Sequence, residues 1–438
     1  MLVQARTLSG FKDRLPQEAI AKHELLQKII TVFESFGFVP IETPHLEYAD
    51  VLIKQGSEEI QKELYAFRDH GGRDVALRFD LTVPLARFVS QHRHSLPMPF
   101  KRYAIGNVFR GERAQRGRYR EFTQCDFDFI GSKSIASDSE IIQIIASIMQ
   151  KLEVGAFQIS INHRGILNGI CEYLGIERVN DALRIIDKLD KIGKEGVMEE
   201  LQSTLGLSTQ INQTLLELVG IRQEGEFEEF FASIAHLKTY NQTLNQAITE
   251  LEELASILQA LDLPKKSCVI NFSIARGLGY YTGIIYETTL LEIPSLGSVC
   301  SGGRYDHLTQ TFSHEELSGV GASVGLDRLL AGLEELGKIQ KCQTKARLLC
   351  IAMSKDQMPF VQKIAQNLRS DGIYTEVYPD FLKLGKIFSY ADSKNFSYVL
   401  IVGEDEARQE KMSLKNMHTG EQLKMLSYPE VAKILGDQ

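Results

Sequence analysis

Residues 100–131, FKRYAIGNVFRGERAQRGRYREFTQCDFDFIG, constrain this chain more than any other stretch. They read as two β-strands around an arginine-rich loop. On the returning strand Arg118, Arg120, Phe122, Gln124, Asp126 and Asp128 share one parity, and alternate residues of a strand face the same side. That face carries cations first, then an aromatic ring, then an amide and two carboxylates. Tyr119, Cys125, Phe127 and Phe129 supply the opposite, apolar face through which such a strand joins a core. The polar face has no packing purpose. It reads as the floor of a site that binds anionic phosphate at one end and something cationic at the other.

The chain around this stretch has 438 residues, 43% hydrophobic and 24% charged, enough for two or three domains with their own cores. A general nucleic-acid scavenger would be strongly basic. The net charge here is −8, so any contact with nucleic acid has to come from local patches. The six cysteines, at 125, 171, 268, 300, 342 and 350, form no CxxC pair. They read as reduced thiols, not as a zinc site or a disulfide framework. The first residues, MLVQARTLSGFKDRLP, lack the apolar core of a signal peptide. No apolar run reaches the roughly 20 residues of a membrane span. The expectation is a cytoplasmic enzyme with no membrane partner.

Pro16, with Glu18 close behind, marks a helix start. Lys22, Leu25, Leu26, Ile29, Ile30, Phe33 and Phe36 recur at helical spacing up to Gly37. Pro40 and Pro44 make the following segment extended, suited to an edge strand or a plain loop. His70 to Arg73 form a hairpin signal between ELYAFRD and ALRFDL. Asp80 and Thr82 sit at the next strand-to-helix corner. They read either as an N-cap pair, which cap statistics favour, or as a carboxylate and hydroxyl facing an ammonium group.

Residues 137–140, SDSE, read as a capping box for an isoleucine-rich core helix. AFQISIN is a strand. From about 164 to 262 the pattern is almost wholly helical, as in an inserted module. Strands return at Val269. There ARGLGYYTG and SGGRYDHL set Arg276, Tyr280, Tyr281, Arg304, Tyr305 and Asp306 among glycines, which suggests close backbone approach to a ligand or a glycine-rich bend. GVGASVGLDRLLAGL runs from a small-residue strand into a helix. Arg328 near that helix's N-terminus opposes the dipole, and a phosphate beside it would explain the placement. After a basic linker, strands and helices alternate to the end, as in a small α/β domain with a mostly parallel core.

No GxxxxGK[ST], no GxGxxG after a strand, no HExxH and no GxSxG is present. What remains is arginines 110, 118, 276 and 328 with carboxylates at 80, 112, 126 and 128. Arginine forks suit phosphate oxygens. An acidic cluster suits an ammonium or an imidazole N–H. A site holding ATP and an amino acid together needs both.

These residues carry a resemblance. VFRGERAQRGRYREFTQCDFDFIG is similar to motif 2 of class II aminoacyl-tRNA synthetases, the extended segment through Pro44 to motif 1, and GVGASVGLDRLL to motif 3. ARGLGYYTGIIYE and GGRYDHL resemble the two signatures of histidyl-tRNA synthetases. YVLIVGEDE with LKNMHTGEQ resembles that family's anticodon-binding domain. The resemblance implies an α+β fold: a class II antiparallel sheet with flanking helices, a helical insertion and a C-terminal α/β anticodon-binding domain. The implied boundaries are a catalytic domain over 1–163 and 263–335, the insertion over 164–262, a linker over 336–345 and the anticodon-binding domain over 346–438.

It also implies roles. Arg110 would hold the α-phosphate of ATP, with Glu112 on the adenine side. Arg118 and Arg328 would grip the distal phosphates, and Phe122 would stack on adenine. Asp80, Thr82 and Gln124 would bind the α-amino group of histidine, while Asp128, Tyr281 and Tyr305, with Tyr280 beside them, would read the imidazole. Arg276 would stabilise charge in the transition state, joining Arg110 as catalytic. Gln115 and Arg120 would lie near the tRNA acceptor end. The implied cofactors are ATP and Mg²⁺, with no protein metal site. The implied partners are L-histidine, tRNA(His) and a second copy of the chain. A carboxylate with tyrosine hydroxyls rejects apolar mimics by about 10⁴ or more, so no editing domain is needed. One position departs from the family's Arg-Gly-Leu-Asp-Tyr-Tyr: Gly279 stands where the aspartate belongs. The alternative reading is a non-catalytic regulatory paralogue serving ATP phosphoribosyltransferase. Such paralogues typically lack the anticodon-binding domain and the catalytic arginine, and this chain keeps both.

Overall fold

The computed structural model describes residues 2–54, 58–113, 117, 119–264, 266–275, 281–340 and 342–436. Its contacts divide the chain into two compact units. One is Met1–Lys12 with Leu25–Ile339, the other Asp13–Glu24 with Gln340–Gln438.

The first unit contains strands β1 (Val39–Pro40), β2 (Leu46–Tyr48), β3 (Ala66–Arg68), β4 (Asp74–Leu77), β5 (Phe100–Phe109), β6 (Glu121–Ile130), β7 (Phe157–His163), β8 (Cys268–Ile270), β9 (Ile284–Leu290), β10 (Ser298–Tyr305) and β11 (Gly319–Gly325). Eight of them form one sheet in the order β1-β5-β6-β11-β10-β9-β7-β8. The inner pairs are antiparallel, and β1 and β8 join the two edges in parallel. The proline-bearing segment thus does lie at a sheet edge, where a strand residue without an N–H is tolerated. β2, β4 and β3 make a small separate sheet, with the expected turn between Arg68 and Asp74.

Helix α1 (Pro16–Ser35) begins at the predicted proline and ends before Gly37, whose φ of +78° suits glycine. Phe33 stacks on Tyr103 and meets Phe127, with ring centres 5.2 and 4.9 Å apart. The apolar parity of β6 therefore faces α1. After α2 (Ala49–Ile53), α3 (Glu58–Glu63) and α4 (Thr82–His92) comes α5 (Ile135–Lys151). Ile141, Ile142, Ile144, Ile145 and Ile148 of α5 are wholly buried, each worth roughly 1.5–3 kcal/mol.

The start of α5 corrects the sequence reading. Ser134 is the N-cap, its Oγ accepting from the Ala136 N–H at 3.2 Å. Residues 137–140 lie one turn inside the helix, because Ser137 and Asp138 are buried there against Arg304 of β10.

Six helices follow: α6 (Arg164–Tyr173), α7 (Val179–Ile186), α8 (Leu189–Leu205), α9 (Thr209–Val219), α10 (Phe227–Ile234) and α11 (Gln242–Gln259). α11 is tied to the sheet by Glu250, which lies 2.8 Å from Nε2 of His163. α12 (Leu326–Glu335) leaves β11 directly, and Asp327 in its first turn accepts the Thr123 N–H of β6 at 2.7 Å.

The second unit has a five-stranded sheet. β12 (Leu348–Ala352) lies between β13 (Thr375–Val377) and β14 (Tyr398–Val402), and β15 (Met412–Asn416) and β16 (Gln422–Leu426) extend the β14 side. The first three strands are parallel and the last two form an antiparallel hairpin.

Candidate active site

The strand register assembles the site. Asp126 of β6 lies opposite Ser323 of β11, Ser323 opposite Ser301 of β10, and Ser301 opposite Glu287 of β9. One residue-pair along, Asp128 faces Gly321, Gly321 faces Gly303 and Gly303 faces Ile285. Opposed residues of neighbouring strands share a face, so one row of the sheet is polar and the next has two adjacent glycines beside Asp128. Gly321 leaves room in the floor beside Asp128. A Cβ on Gly321 would fall 2.1 Å from Asp128 Oδ1.

A cavity of about 190 Å³ opens over this floor, lined by Asp80, Thr82, Arg110, Gln124, Asp126, Asp128, Tyr281, Tyr286 and Tyr305 among others. A second of about 270 Å³ adjoins it, lined by Arg110, Glu112, Phe122, Gln124 and Arg328. Arg110, Gln124, Glu287, Ser301 and Ser323 line both. The sheet thus carries one trough with an acidic end, as the parity of β6 implied, and an end whose described arginines are Arg110 and Arg328 rather than those of the β6 parity.

At the acidic end one carboxylate already meets an internal cation. Arg102 of β5, fully buried and opposite Asp128, puts its guanidinium 2.6 Å from Asp128 Oδ2. Tyr305 donates its hydroxyl to Asp128 Oδ1 at 2.5 Å. Burial raises the Asp128 carboxyl above its ordinary range, while Arg102 and the Tyr305 bond pull it back. Arg102 was not among the residues singled out from the sequence; its parity along β5 matches that of Ala104 and Gly106, which gave no polar pattern to follow.

Asp80 caps a helix with one oxygen and leaves the other free toward the cavity. Its Oδ1 accepts the Val83 N–H at 3.0 Å, capping α4. Its Oδ2 is buried and has no hydrogen-bond partner among the described residues. Burial raises this carboxyl to about 6 against the lowering pull of the Val83 bond and of Arg110. Asp126 is raised to about 7, by burial first, with Arg102 lowering it and Asp128 raising it further.

At the other end, Arg110 donates from Nε to the Phe79 carbonyl at 3.0 Å and its guanidinium lies 5.2 Å from the Phe122 ring centre. Arg328 donates to the Ser298 carbonyl at 2.7 Å. Arg120 lies outside β6. Its guanidinium donates to the carbonyls of Glu112 and Ser9, both at 3.1 Å, which holds the N-terminal segment against the loop. Arg304 turns away from the cavity to α5, since Tyr305 next to it on the strand points in. Gln115, Arg118, Arg276, Gly279 and Tyr280 lie outside the described residues. Glu287, Ser301 and Ser323 line the site although the sequence reading passed over them.

A family model described as histidyl-tRNA synthetase matches residues 10–329, and one described as an anticodon binding domain matches residues 345–438. The chain is 59% identical to the histidine–tRNA ligase of Wolinella succinogenes over 435 residues, 99% of this chain and 98% of the relative. It is 57% identical to that of Helicobacter pylori strain 26695 over 437 residues, 100% and 99% of the two chains. The crystal structure of histidyl-tRNA synthetase from Nostoc sp. PCC 7120 matches with a TM-score of 0.89 at 36% identity, covering all of both chains. A Bacillus halodurans structure described as an ATP phosphoribosyltransferase regulatory subunit/histidyl-tRNA synthetase shares the fold, with a TM-score of 0.75 at 23% identity.

Proposed function

This chain belongs to the histidyl-tRNA synthetase family, and we propose that it is a histidine–tRNA ligase that activates L-histidine with ATP and transfers it to tRNA(His). The single observation that carries this reading is the trough: two adjoining cavities that share Arg110, Gln124, Glu287, Ser301 and Ser323, with carboxylates at one end and arginines at the other. The full-length matches to histidine–tRNA ligases at 57–59% identity support it over the regulatory alternative.

In this reading histidine lies at the acidic end. Its imidazole meets Asp128, Tyr281 and Tyr305, with Tyr280 close by, and its ammonium meets Asp80, Thr82 and Gln124. ATP lies at the other end, with Phe122 against adenine, Glu112 nearby, and Arg118 and Arg328 on the distal phosphates. A histidine carboxylate oxygen bonds to the α-phosphorus as the bond to the pyrophosphate oxygen breaks. The terminal ribose hydroxyl of tRNA then bonds to the acyl carbon as AMP leaves. No side chain acts as nucleophile. Catalysis is positioning plus charge stabilisation by Arg110 and Arg276 at the seam where the substrates meet. Gln115 and Arg120 flank the acceptor end.

Among the described residues no group of three or more His, Cys, Asp or Glu is placed to hold a metal ion. Mg²⁺ often binds through one or two carboxylates plus nucleotide phosphates. Glu287, which lines both cavities, suits that mode, and the ion would neutralise the departing pyrophosphate. The exposed Val39, Leu46, Tyr48 and Phe67 on short edge strands support a homodimer through this region. No helix among the described residues is long and apolar enough to cross a membrane, in keeping with a cytoplasmic enzyme.

Histidine-dependent exchange of labelled pyrophosphate into ATP tests the reading. Exchange with histidine, and none with other amino acids, is the expected result; purified protein with no exchange refutes it. Gly321→Ala should raise the KM for histidine about 10- to 100-fold while leaving that for ATP nearly unchanged, because the new methyl collides with Asp128. An unchanged histidine KM would remove Asp128 from the proposed pocket.

A further inference from the structure

Asp126 has no part in the roles above, yet it lies in the middle of the acidic end. It is buried to 2% exposure, lines the amino-acid cavity, and stands on β6 between Gln124 and Asp128 on the same face. Ser323, which accepts from Gln124 Nε2 at 2.8 Å, bonds one side of its carboxylate. The other oxygen, Oδ1, is buried with no hydrogen-bond partner among the described residues.

Two further acceptors on the same cavity are in the same condition, Oδ2 of Asp80 and Oε1 of Gln124. Leaving a buried acceptor unmet costs free energy, more so for a charged one. Asp128 differs, because Tyr305 donates to its Oδ1 and its Oδ2, which has no hydrogen bond among the described residues, is held in an ion pair with Arg102. The cavity therefore presents three unmet acceptors, two of them carboxylate oxygens that repel one another across it. An α-ammonium group brings three N–H donors and one positive charge.

We propose that Asp126 is a further substrate-contacting residue, its Oδ1, rather than the Thr82 hydroxyl, taking the third N–H of the amino acid's α-ammonium group beside Asp80 and Gln124. This rests on the histidine-ligase reading and deepens it. The imidazole end, built on Asp128, Tyr281 and Tyr305, sets which side chain is accepted. The Asp80–Gln124–Asp126 tripod demands an α-amino acid. Arg102, between Asp126 and Asp128 in charge and opposite the latter in register, is a positioning residue that lets two carboxylates share one buried floor.

The test compares two probes by isothermal titration calorimetry on the full chain: L-histidine and its des-amino analogue 3-(imidazol-4-yl)propanoate. In Asp126→Asn the Kd for histidine is expected to rise about 10- to 100-fold, while that for the analogue stays within about two-fold. Asp126→Ser, which removes the carboxylate but leaves the Arg102–Asp128 pair, should behave alike. Asp128→Asn should weaken both probes. Equal loss of both probes in the Asp126 variants, or loss of neither, overturns the proposal. Wild-type chain that fails to bind histidine at all refutes the functional reading instead.

Discussion

Arg304→Met is expected to lower the stability of the first unit by about 3–5 kcal/mol, the usual cost of stranding one partner of a buried ion pair. Every N–H of this guanidinium is engaged. Nε lies 3.2 Å from each Asp138 carboxylate oxygen, and Nη2 also bonds Asp138. Nη1 donates to the Ser132 carbonyl at 2.9 Å and to Ser318 Oγ at 2.7 Å. Nη2 reaches the Ser134 carbonyl and Ser137 Oγ at 3.1 and 3.0 Å. One side chain thus fastens β10 to the start of α5 and to the residue before β11. Asp138 is wholly buried, so without Arg304 it must protonate or draw in water. Urea denaturation of the variant, beside Arg304→Met/Asp138→Leu, measures this. The double variant should recover much of the loss, since apolar replacement of a whole buried pair is often neutral. A single-variant loss below 1 kcal/mol would mean that apolar packing of the isoleucines alone holds α5.

Arg110→Ala is expected to slow histidine-dependent pyrophosphate exchange by about 10²–10³, the usual effect of removing one donor from a transition-state charge. Histidine affinity should change little, because the proposed imidazole and ammonium contacts are made by other side chains. Arg110 lines both cavities and its Nε is anchored to the Phe79 carbonyl, so its remaining donors are aimed without rearrangement. Lysine should restore only part of the rate, since a point charge cannot reproduce the planar fork or its placement over Phe122. Single-turnover adenylate formation with histidine titrated by calorimetry separates the two effects. A variant that loses histidine affinity and keeps its rate would move Arg110 out of the reacting centre.

Much of the site was legible because it lies along one strand. The period of two put Phe122, Gln124, Asp126 and Asp128 on one face, and the apolar alternation named the face that α1 covers. The same rule, applied to SGGRYDHL, separates Arg304 from Tyr305, and it accounts for one pointing into α5 and the other into the cavity. SDSE met the sequence criteria for a capping box, but a serine three residues earlier took the role. Capping is decided by where the helix axis starts, and the buried Asp138 fixed that start by pairing with a strand more than 160 residues away.

The sequence by itself determined which face of β6 is polar and which end of it is acidic. Those are local properties, set by the alternation of side chains along an extended backbone. Only the tertiary structure decided that Arg102 neutralises part of the acidic end, that Gly321 leaves room beside Asp128, and that Asp80, Gln124 and Asp126 are left with unmet acceptors. Each of these depends on cross-strand register and burial, which arise when distant segments are paired and water is excluded.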